Sequence, residues 1–110
     1  MDDRQFLAAL TALAQETRLD IFRLLVKLAP ESLPSGEIAA RLGVVQNTMS
    51  AHLGVLARSG LICAKRKGRS VEYSVEYDAM RRFLTFLTQD CCQGKPEMCS
   101  PLLERIDHSR

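Results

Sequence analysis

Apolar positions in the first quarter of the chain recur with a helical period. Phe6, Leu10, Leu13 and Ala14 form one stripe and Ile21, Leu24, Leu25 and Leu28 a second, so residues 4–29 read as two helices divided near "AQET". Thr17 is placed to cap the second, with Asp20 three residues on, and Pro30 stops it. The stretch "APESLPSG" is rich in turn formers and reads as a loop. Ser35 then stands as the N-cap of a short helix that turns Ile38 and Leu42 inward, carries Glu37 in its first turn and ends at Gly43.

In "VVQNTMSAHLGVLARSG", residues 44–60, Met49, Leu53 and Leu56 follow i, i+4, i+7 and mark a buried stripe. Gln46, Asn47, Thr48, Ser50 and Arg58 fall outside it, and Gly60 closes the helix as its C′ residue. A short helix, a tight turn and a second helix with a polar front make a helix-turn-helix. The next segment, "LICAKRKGRSVEYSV" (residues 61–75), places strand formers on both sides of "KGRS" and reads as a hairpin with Arg66, Lys67 and Arg69 at its tip. Asp78 is placed to cap a further helix over 79–89 bearing Met80, Phe83, Leu84 and Leu87. Ser100 and Pro101 have the look of a helix start ahead of Leu102, Leu103 and Ile106. The pattern therefore predicts a mainly α fold with a small β-hairpin, a winged helix-turn-helix. Residues 1–90 form its DNA-binding and dimerisation domain, and 91–110 a cysteine-containing tail.

Length changes this picture in one respect. A chain of 110 residues makes one small core, and the stripe of the last long helix is surplus to a winged-helix core. A second copy is expected to cover it, giving a homodimer. There is no apolar run of membrane-spanning length, and "MDDRQF" opens acidic rather than as a basic leader, so a soluble cytoplasmic protein with no membrane partner is expected.

Charge sharpens the functional reading. No acid lies between Glu37 and Glu72, whereas Arg41, Arg58, Lys65, Arg66, Lys67 and Arg69 do, so the rest of a chain of net charge +2 is net acidic. One basic segment on an acidic molecule is the footprint of a nucleic-acid binder. The helix amides and hydroxyls, with His52 on the same helix, are candidates for base edges, and the wing cations are candidates for phosphates. Two such helices in a dimer would read successive major-groove half-sites of an inverted repeat in duplex operator DNA, with no cofactor required. An enzyme is not expected. His52 and His108 are remote from any nucleophile constellation, and no Gly-rich phosphate loop occurs.

Three of the four cysteines, Cys91, Cys92 and Cys99, crowd into "DCCQGKPEMC". In a reducing compartment such thiols point to metal binding or redox chemistry rather than a disulfide framework. Cys63 stands alone in the first wing strand and reads as a structural residue.

"LAQETRLDIFRLL", "EIAARLGVVQNTMSAHLGVLARSGLI" and "KRKGRSVEYSV" together resemble the ArsR/SmtB family of dimeric winged-helix repressors, over residues 4 to about 90. The resemblance implies five helices with a two-stranded wing, dimerisation through the first and last helices, and repression relieved by a metal, metalloid or other inducer. The chain departs from the family at Val45, where a capping serine is common, at Gln15-Glu16, which replace Asp-Pro, and at Ala51, where a larger polar residue often contacts DNA. The family's cysteine-pair site would fall at Pro34, Ser35 and Gly36, and its histidine-carboxylate site finds no histidine in residues 77–90. The tail remains, and it resembles the Cys-Cys-spacer-Cys ends of some arsenite-responsive members. Three soft thiolates match trivalent arsenic, As(III), or antimony, Sb(III), as inducer. Thiol oxidation, or another thiophilic metal such as zinc, cadmium or lead, is the alternative trigger; zinc would have to recruit a fourth ligand.

Overall fold

The computed structural model describes residues 1–92. Its elements run α1 (Asp3–Leu13), α2 (Glu16–Leu28), β1 (Leu33–Pro34), α3 (Ser35–Leu42), α4 (Gln46–Arg58), β2 (Ile62–Lys67), β3 (Ser70–Val75) and α5 (Tyr77–Cys92). Five helices and a small sheet are the expected winged helix-turn-helix, and several starts and edges differ from expectation for local reasons.

Helix α1 begins with a reciprocal cap, the Asp2 carboxylate accepting from the Gln5 N–H at 2.8 Å while the Gln5 side chain accepts from the Asp2 N–H at 3.0 Å. It meets the core through Ala9 and Ala12, which are buried, with Phe6 and Leu13 half-buried. Leu10 and Ala14, expected on the buried stripe, are exposed, and Leu7 is 59% exposed. Small residues let α1 lie close to its neighbours, while Leu7 and Leu10 are rotated outward.

Helix α2 is capped by Gln15 and not by Thr17. Its side-chain oxygen accepts from the Arg18 N–H at 2.8 Å, and Thr17 lies inside the first turn. The longer glutamine reaches the amide that an aspartate would otherwise satisfy. The loop expected over 29–36 contains β1, which pairs antiparallel with β3 through Leu33↔Tyr73 and Pro34↔Glu72. The sheet is thus three-stranded, in the order β1-β3-β2. Two residues are too short for a strand periodicity, and Pro34 is tolerated because it sits on an edge.

Ser35 is the first residue of α3 rather than its cap. Pro34 occupies the cap position, and the Ser35 hydroxyl accepts from the Gln46 amide instead. Gly43 closes α3 at φ 66°, and the Val44 N–H bonds the Ala39 carbonyl at 3.0 Å. That left-handed turn joins α3 to α4 in a backbone conformation that favours glycine. Ile21, Leu25, Ile38, Met49, Leu53, Leu56 and Leu61 are the largest fully buried side chains, so α2, α3, α4 and the base of the wing share one core. Leu42 is half-buried. Helix α5 starts at Tyr77, which puts Asp78 in its first turn rather than at the cap, and it continues through Cys92, past the end expected at Gln89. No helix among the described residues is long and apolar enough to cross a membrane.

Candidate nucleic-acid interface

The buried stripe Met49, Leu53 and Leu56 fixes which way α4 faces. Gln46, Asn47, Thr48 and Ser50 are exposed as a consequence. Its first turn carries no acid, and Val45 at the cap position supplies no side-chain bond, so the positive end of the helix stays electrostatically open. The Gln46 side-chain nitrogen donates to the Ser35 hydroxyl at 2.9 Å, which braces the first residue of α4 on the first residue of α3 and leaves the amide oxygen and the second N–H available.

Two members of the expected set lie apart from this cluster. Arg58 is exposed in the last turn of α4, about 16 Å along the axis from Asn47 at 1.5 Å per residue. Its guanidinium folds back over Gly54, where an added β-carbon would lie 3.2 Å from Nη1. His52 is half-buried, and its Nδ1 lies 3.3 Å from Arg18 Nη1. Arg18 was not in the candidate set; its only sequence signal is the "TR" at the start of the second helix.

The wing is an antiparallel pair with Lys67 opposite Ser70 and a two-residue connection in which Gly68 adopts φ 62°. Arg66, Lys67 and Arg69 are all exposed, as is Lys65. Strand alternation puts Lys65, Lys67 and Glu72 on one face and Arg66 on the other, opposite Val71. Lys67 Nζ is 3.4 Å from Glu72 Oε1, and the same oxygen accepts from the Ser32 hydroxyl at 2.6 Å. The Ser32 hydrogen bond is the main cause holding the Glu72 carboxyl below its ordinary value; partial desolvation opposes it and the Lys67 charge reinforces it. Among the described residues, Arg66 and Arg69 have no acidic partner within ion-pair distance. With Lys65, which likewise has no acidic partner within ion-pair distance among the described residues, they are the wing cations outside the Lys67–Glu72 pair.

The thiols divide. Cys63 is half-buried with Sγ 3.3 Å from Ser74 Oγ on the neighbouring strand. Cys91 and Cys92 close α5, and Cys99 lies outside the described residues. No group of three potential metal ligands occurs among the described residues. Phe6 of α1 packs against α5 with tilted rings, its ring centroid 5.3 Å from that of Phe83 and 4.7 Å from that of Phe86.

Residues 13–62 match the helix-turn-helix domain family. The transcriptional activator HlyU of Vibrio cholerae is 32% identical over 85 residues, covering 77% of this chain and 76% of its own length. A reduced form of HlyU has been solved; it is 27% identical, with a TM-score of 0.61 over 80% of this chain and 88% of that one. The HTH-type transcriptional regulator CmtR of Mycobacterium tuberculosis is 37% identical over 78 residues, which is 71% of this chain and 64% of CmtR. The solution structure of the homodimeric winged helix-turn-helix DNA-binding domain of Mb0332 from Mycobacterium bovis, an ArsR-family candidate, is 28% identical, with a TM-score of 0.64 over 91% of this chain and 93% of that one. With this level of identity spread over the helix-turn-helix and the wing, the chain belongs to the ArsR/SmtB family of winged helix-turn-helix transcriptional regulators.

Proposed function

We propose that this regulator is a homodimeric repressor that holds an inverted-repeat operator and releases it when As(III) or Sb(III) is taken up by Cys91, Cys92 and Cys99. The observation that carries the DNA-binding half is the acid-free, exposed front of α4, with Asn47, Thr48 and Ser50 beside the brace at Gln46. Arg66 and Arg69 on the wing supply phosphate contacts, and the polar side chains of α4 supply sequence. Dimerisation is supported by the exposed Leu7 and Leu10 on α1, the helix that packs on α5 through Phe6. The homodimeric relative from Mycobacterium bovis supports the same assembly.

The trigger follows from donor chemistry and position. Arsenous acid and three thiols condense to a tris-thiolate with release of three waters, a stoichiometry that three cysteines satisfy. Cys91 and Cys92 end the helix that α1 packs against, so ligation there bears directly on the helices proposed to join the protomers. A hundredfold loss of operator affinity requires a bias of only about 2.8 kcal/mol toward the released state. That bias must be differential, since an inducer bound equally by both states shifts nothing.

A second reading is favoured by the reduced form of HlyU. Two of the same thiols would give up two electrons and two protons to a peroxide, forming a disulfide. A gel shift with fully reduced protein on a selected inverted-repeat duplex separates the two. Release by arsenite or antimonite, but not by zinc or cadmium, supports the metalloid trigger. Release by peroxide alone, with arsenite silent, replaces it. Cys99→Ser is expected to keep operator binding and lose induction, and loss of binding itself would refute a purely sensory role.

A further inference from the structure

One side chain joins three helices at the corner behind the recognition helix. Arg18 occupies the first turn of α2, its own N–H held by Gln15 Oε1 at 2.8 Å. Its Nε donates to the Ala12 carbonyl at 2.7 Å, in the last turn of α1, where helix carbonyls lack intrahelical partners. Its Nη1 lies 3.3 Å from His52 Nδ1 in the middle of α4. A guanidinium only donates, so Nδ1 must accept and the imidazole proton sits on Nε2. The group is half-buried throughout, a setting in which a charged hydrogen bond outweighs a neutral one.

We propose that Arg18 is a positioning residue for operator recognition, its guanidinium fixing the rotational setting of α4 through His52, and that His52 serves the DNA interface through this clasp rather than by touching DNA. The inference rests on reading α4 as the operator-reading helix. Met49, Leu53 and Leu56 bury α4 against the core, but apolar burial is not directional and specifies roll only loosely. A roll of about 20° at a side-chain radius of about 5 to 6 Å displaces the outer face by about 2 Å, enough to break a hydrogen bond to a base edge. The Arg18–His52 bond opposes that roll. Because Arg18 also holds the Ala12 carbonyl, the setting of α4 is referred to the end of α1, whose other end packs on α5 through Phe6. A chain of contacts from Phe83 and Phe86 of α5 to the reading face thus includes two named hydrogen bonds.

The test uses the full chain and two probes, the best duplex that wild-type protein selects from a randomised pool and a random-sequence duplex of equal length. His52→Ala is expected to weaken binding of the selected duplex about tenfold, with random-duplex affinity and the salt slope unchanged, because no phosphate contact is lost. His52→Asn, whose side-chain oxygen can stand near the Nδ1 position, is expected to restore most of that loss. Arg18→Lys is expected to behave as a loss, since an ammonium lacks the planar fork that serves two acceptors. His52→Ala and Arg18→Gln combined should cost no more than the larger single effect. Should Arg18→Gln fail to fold, the His52 pair of variants decides the matter alone. A salt slope reduced by about two in His52→Ala, one contact from each protomer, would show a direct phosphate contact and overturn the proposal. Unchanged affinity for the selected duplex, or equal loss on both duplexes, would also overturn it. Asn47→Ala and Thr48→Ala are measured alongside: if both leave the selected duplex bound as before, the reading of α4 itself fails, independently of the clasp.

Discussion

The Gln46 side-chain nitrogen donates to the Ser35 hydroxyl across 2.9 Å, joining the first residue of α4 to the first residue of α3. A residue expected to read bases is thus partly committed to holding the helix-turn-helix together. Ser35→Ala and Gln46→Ala should each lose the same contact, and a double-mutant cycle is expected to show a coupling of about 0.5 kcal/mol, the low end for an exposed bond. Asn47, with no such commitment, is expected to carry more of the discrimination. Asn47→Ala is expected to cost about 1 to 3 kcal/mol on the selected duplex and little on a random one, by fluorescence anisotropy.

The wing cations should separate in a salt titration. Arg66→Ala and Arg69→Ala each remove one phosphate contact per protomer, two per dimer, and are each expected to reduce the slope of log K against log salt by about 1.8. Lys67→Ala should reduce it less, because Lys67 already faces Glu72 at 3.4 Å. Equal slopes for all three variants would show that the Lys67–Glu72 pair opens on DNA.

Glu72 gives the sheet a pH dependence of definite sign. The Ser32 hydrogen bond, reinforced by Lys67, holds its carboxyl below the ordinary 4.5, so the folded state binds this proton less readily than the unfolded chain does. The stabilising contribution is complete above that value and is lost as pH falls below 4.5 through the lowered one. Glu72→Gln is expected to flatten this part of the pH profile of thermal stability. The amide of Ser32 should change environment over the same range in wild-type protein only.

Leu7 and Leu10 are 59% and 38% exposed on the face of α1 assigned to the second copy. Leu7→Glu with Leu10→Glu is expected to shift sedimentation toward monomer without unfolding the chain, since neither side chain is buried in the protomer. Val71→Glu, at a site 39% exposed on the wing, should leave the assembly unchanged.

Gly54→Ala tests the recognition helix from its back. The new β-carbon would lie 3.2 Å from Arg58 Nη1, the far end of a flexible side chain that can move away. Helix propensity then dominates, and a gain approaching 1 kcal/mol in urea unfolding is expected, with Arg58 displaced. A loss of stability would mean that Arg58 is held in place more firmly than its exposure suggests.

By itself the sequence determined the helices of the core, the tight turn at Gly43, the buried stripe of α4 and the basic hairpin, because each is written in local spacing that a few neighbouring residues complete. The tertiary structure decided what depends on partners distant in the chain. Leu33 and Pro34 became a strand only by meeting Tyr73 and Glu72. Ser35 changed from cap to acceptor because Gln46 arrives eleven residues later. Lys67 was drawn to Glu72, and Leu10 turned outward because Ala9 and Ala12 occupy the buried side of α1. His52, legible in sequence only as a polar residue on a reading helix, was assigned to Arg18 by a contact spanning 34 residues. A hydrogen bond between side chains so far apart leaves no periodicity behind it, and only packing brings its two ends together.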